Sequence, residues 1–68
     1  MKLAIVDNDE GHTTIVNTDQ ITYLRQDVYG TAIHFASGEH IICAQEIDTV
    51  VAKLKNGKDP EAILIKAD

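Results

Sequence analysis

The chain has one cysteine, one proline and no tryptophan, and its aromatic side chains are two Tyr and one Phe. A lone Cys43 cannot close an intramolecular disulfide, so a reduced, cytoplasmic setting is expected. No apolar run approaches the roughly 20 residues that a membrane-spanning helix needs. The opening "MKLAIVDNDE" turns acidic directly after Val6, which does not suit a secretory leader. Basic residues are also scarce: six Lys plus Arg stand against eleven Asp plus Glu, a net charge of −5. That balance disfavours nucleic acid as the main partner, because phosphate neutralisation supplies most non-specific affinity. The basic cluster "KLKNGK" is explained by its place at a helix end, where cations complement the macrodipole.

What is present is a patterned, 44% hydrophobic chain of 68 residues. This length makes one domain with a marginal core, supported by good packing or by association because disulfides are excluded. "KLAIVD" suits a strand over residues 2–7, and "NDEG" after it is dense in turn chemistry, with Gly11 able to take positive φ. "HTTIVN" is rich in β-branched residues and reads as a second strand. After the turn "NTDQ", "ITYLRQDVY" reads as a third, with Ile21, Tyr23 and Arg25 on one face and Thr22, Leu24 and Gln26 on the other. "TAIHFA" and "EHIICA" complete an antiparallel meander, the economical topology for connections this short.

Ile47, Val50, Val51 and Leu54 recur at helical spacing and line one face of a helix. Glu46 and Asp48 near its start and Lys53 and Lys55 near its end suit the dipole, and Asn56-Gly57 is the expected left-handed stop. The expected fold is therefore α+β: one small antiparallel sheet of four to five strands with one helix across a face. The helix stripe should meet the sheet side that holds Ile33, Phe35 and Ile41. Residues 1–58 supply sheet and helix, and residues 59–68, with the apolar "AILIK", supply a C-terminal arm.

Register decides what the histidines can do. A two-residue loop, Ser37-Gly38, pairs Phe35 with His40 and puts His34 on the opposite face. A three-residue loop, Ser37-Gly38-Glu39, pairs Ala36 with His40 and brings His34 and His40 to one face with Ile42 and Ala44. The second choice also groups Ile33, Phe35, Ile41 and Cys43, and is slightly favoured for that reason. In either register both faces carry apolar side chains while one helix covers only one.

His34, His40 and Cys43 lie close together in sequence, but Cys-x-x-Cys and His-x-x-x-His spacings are missing, so a zinc site is not expected. A reactive thiolate needs an electropositive, exposed niche, whereas "HIICAQE" is apolar and acidic. No glycine-rich phosphate loop occurs either, and the expectation is a non-enzyme without cofactor. The leading reading is a protein–protein interaction or regulatory module that forms a homo-oligomer. Its candidate contact residues are His34, His40 and Ile42 on the uncovered face, with Ile63, Leu64 and Ile65 of the arm. The alternative is a small nucleic-acid-binding regulator acting as an oligomer, which would need the scattered Lys and Arg to converge.

The segment "VNTDQITYLRQDVYGTAIHFASGEHIICAQEIDTVVAKL" resembles the small FlbD-like family of bacterial flagellar-associated proteins. The matching positions are Asn17, Ile21, Thr31, Ile33, Gly38, Ile41, Glu46, Val50 and Leu54. The N-terminal strand and the apolar tail depart from the family layout. The resemblance implies a small β-then-α domain and transfers no functional residue.

Overall fold

The structure, a computed structural model, describes residues 2–58. Among these residues five strands form, β1 (Leu3–Asp7), β2 (Thr13–Asn17), β3 (Ile21–Asp27), β4 (Gly30–Phe35) and β5 (His40–Cys43), followed by helix α1 (Ile47–Lys55). They do not make one sheet, as the sequence led us to expect, but two. β1 and β2 pair as a two-stranded antiparallel sheet, while β3, β4 and β5 form a three-stranded meander. The break falls at a short 3-10 turn, Thr18–Gln20, which Asn17 caps by accepting a hydrogen bond from the Asp19 N–H at 3.0 Å. That turn redirects the chain before β3, so β2 and β3 never become neighbours.

The two sheets share one core. Ala4 and Val6 of β1, Val16 of β2, Ile33 of β4, Cys43 of β5 and Val50 of α1 are buried together. Ile21, Leu24, Phe35, Ile41 and Leu54 pack around them. Fully burying an aliphatic side chain of this size contributes about 1.5–3 kcal/mol, so Ile33, Val6 and Val50, each exposed by no more than 1%, are the principal apolar anchors. Val50 of the helix stripe shares the buried cluster with Ile33, and Leu54, Phe35 and Ile41 pack around it. Its most extensive packing, however, is against β1, with smaller contacts to β3 and β4. The helix is the element that bridges the sheets.

Both ends of α1 are held differently from the expectation. Glu46 takes the N-cap position, but its side chain makes no capping bond. Instead the Ile47 N–H donates to Gln26 Oε1 of β3 at 2.7 Å, a partner too distant in sequence to be foreseen. At the other end Asn56 has φ −85°, and Gly57 is not among the glycines with positive φ, so the left-handed stop does not form. The chain passes close over β1 instead, and Lys58 makes reciprocal backbone hydrogen bonds with Leu3, both 2.7 Å. The arm beyond it, with Ile63, Leu64 and Ile65, lies outside the described residues.

Candidate functional site

The β4–β5 hairpin settles the histidine register. Thr31 pairs with Cys43, Ala32 with Ile42, Ile33 with Ile41 and His34 with His40. The loop has three residues, but they are Ala36-Ser37-Gly38, one place earlier than Ser37-Gly38-Glu39. Its closure explains why. The Gly38 N–H donates to the Phe35 carbonyl and the Phe35 N–H to the Glu39 carbonyl, each at 3.0 Å, and Gly38 has φ +92°. In a three-residue hairpin built on a type I turn, the last loop residue is the left-handed one, so glycine belongs in third place. His40 accordingly opposes His34 rather than Ala36. The face assignment of the three-residue reading holds: Ile33, Phe35, Ile41 and Cys43 face the core, and His34, His40 and Ile42 face outward.

On that outer face the rings form a row across the three strands. Tyr23 and His34 stack at 4.2 Å between centroids with planes 9° apart. His34 and His40 stack at 5.3 Å and 24°. The Arg25 guanidinium carbon lies 5.6 Å from the Tyr23 ring centroid, within the range of a cation–π contact. Tyr23 joins this row because of a bulge. Ile21 pairs with Phe35 while Tyr23 pairs with His34, so one extra residue, Thr22, intervenes. The Thr22 hydroxyl donates to the His34 carbonyl at 3.2 Å. A bulge reverses the alternation, and Ile21 therefore packs on the core instead of sharing the face of Tyr23 and Arg25. The signal was legible: Ile21 and Leu24 are the two apolar residues of that segment that pack inward, and their spacing of three does not fit a period of two.

Cys43 stands on the opposite side of the sheet from His34 and His40 and is fully buried. Burial pushes its thiol above the ordinary value of 9.0; Asp7 and Asp9 add to the rise, and Lys53 opposes it. The thiol is held in its neutral, unreactive form, the behaviour of a small buried hydrophobe. Among the described residues no three His, Cys, Asp or Glu side chains gather where they could hold a metal ion. No helix among them is long and apolar enough to cross a membrane.

His40 also borders a groove of about 320 Å³. Thr14, Ile15, Val16, Asn17 and Gln20 line it from the β2 side, and Phe35, Ser37, Glu39, His40 and Ile41 from the hairpin side. Beside it, on the outer face of the two-stranded sheet, Ile5 and Ile15 oppose each other across the strands. They are 51% and 48% exposed, an unusual position for a cross-strand isoleucine pair. Comparison with protein families, with characterised proteins and with solved structures finds no match to this chain.

Proposed function

We propose that this chain is a non-catalytic protein–protein interaction module that acts by associating with itself. The observation that carries the reading is that the described residues cover both sheets on one side only. The helix and shared core occupy the inner faces, and the outer faces keep Tyr23, His34, His40 and Ile42 on one sheet and Ile5 and Ile15 on the other. Apolar and aromatic side chains left together at a surface favour burial against a partner. The arm residues Ile63, Leu64 and Ile65 belong to the proposed contact on the strength of their sequence alone.

The nucleic-acid alternative draws less support. Single-stranded binders present aromatic faces on which bases stack, whereas Tyr23 and His34 turn their ring faces to each other. Sedimentation velocity from micromolar to millimolar concentration tests the self-association reading. A sedimentation coefficient that rises to that of a dimer or larger assembly is expected. A strict monomer across the range would remove the reading.

A further inference from the structure

We infer that the self-association runs through the outer edge of β2, which pairs antiparallel with β2 of a second copy about a two-fold axis at Ile15. This deepens the interaction reading above and rests on it. A strand edge that nothing protects is a template for another strand.

Two sheets offer four edges. The β1 edge is capped by Lys58, which bonds both backbone groups of Leu3. The β5 edge is met by the first hairpin's loop, where the Asp9 N–H donates to the Ile42 carbonyl at 2.6 Å. The β3 edge carries the bulge at Thr22 and the charges of Arg25 and Asp27, both of which discourage pairing. Among the described residues β2 has none of these devices. Within that same range it pairs only with β1, and no Asp, Glu, Lys or Arg occurs from Gly11 to Thr18.

The direction of its backbone groups follows from the ladder. Hydrogen-bonded and non-bonded pairs alternate in an antiparallel pair. Asn8 with His12 and Lys2 with Thr18 are bonded pairs, so Thr14 and Val16 bond to β1 while Thr13 and Ile15 point their N–H and C=O outward. In the register centred on Ile15, that residue exchanges both bonds with its own copy and Thr13 faces Asn17.

A second copy is the occupant that this edge suits best. The chain carries a net charge of −5, so two copies repel except where charge is absent, and the segment around Ile15 is such a place. Pairing there also brings the exposed Ile5 and Ile15 of both copies onto one continuous face.

The test is a charge pair at the axis. Ile15→Lys and Ile15→Glu each place like charges opposite each other across the proposed two-fold, which opposes pairing. Each variant is expected to weaken association roughly tenfold or more while keeping the wild-type circular dichroism and, at dilutions where both are monomeric, the wild-type melting curve. Mixing the two is expected to restore a dimer, now mixed, in sedimentation and native mass spectrometry. Ile15→Pro removes the outward N–H without touching a bond to β1, and is expected to weaken association as well. If the wild type associates and all three variants associate equally well, the β2 edge is overturned while self-association stands. If the variants are weakened but the mixture is not restored, the two-fold register is overturned. A wild type that stays monomeric at millimolar concentration overturns both.

Discussion

Two hairpins in this molecule close with the same turn and end in different situations. In β1–β2 the Gly11 N–H donates to Asn8 O at 3.0 Å and Gly11 has φ +80°. In β4–β5 the Gly38 N–H donates to Phe35 O at 3.0 Å and Gly38 has φ +92°. Both are three-residue loops with glycine last. Yet β4–β5 has β3 on one side and the Asp9 N–H on the other, while among the described residues β1–β2 keeps one bare edge at β2. Turn chemistry settles how a hairpin closes. It does not settle what becomes of its outer edges, which depends on where the chain goes next.

The largest expected effect separates the hairpins by what they give the core. Ile33→Ala in the middle strand of the three-stranded sheet removes a fully buried side chain and should cost about 2–5 kcal/mol. Val6→Ala in the first hairpin removes fewer atoms and should cost less. Chemical denaturation of the two variants orders them, and an equal or inverted order would mean the core is centred on β1 instead.

A smaller effect tests whether the turns are equivalent. Neither Gly11 nor Gly38 has any atom within 4 Å of an added Cβ, so alanine there meets only the backbone cost of positive φ. Gly11→Ala and Gly38→Ala should therefore each lose about 1–2 kcal/mol, and by similar amounts. A marked difference in denaturation midpoints at constant m would show that the loops are not the same turn.

The smallest effect concerns β5 alone. With the Cys43 thiol raised above 9.0 in the folded protein, the unfolded chain loses its thiol proton first as pH rises. Stability from this group is present below that value and declines as pH passes upward through it. Cys43→Ala should flatten the alkaline decline without altering the profile near neutrality, as urea titrations from pH 7 to pH 10 would register.

Much of this was legible before the structure. The helix was visible because Ile47, Val50, Val51 and Leu54 repeat at its own period, and the strands because β-branched runs alternate with turn residues. Two local corrections were legible too, in hindsight. The third-place rule for glycine positions the loop at Ala36-Ser37-Gly38, and the three-residue spacing of Ile21 and Leu24 marks the bulge. The division into two sheets was not legible. It depends on the direction in which Thr18–Gln20 releases the chain and on contacts such as Gln26 with Ile47, which join residues far apart in sequence. The unprotected edge of β2 follows from that division, so local pattern could not disclose it.

Amide hydrogen exchange at Ile15, compared with Thr14 and Val16, tests the account most directly. In dilute solution the Ile15 N–H should exchange rapidly while its neighbours, bonded to β1, stay protected. At millimolar concentration Ile15 should become protected as well. An Ile15 amide that exchanges at the same rate at both concentrations, in a sample shown to be associated, would contradict the claim that copies of this chain meet along β2.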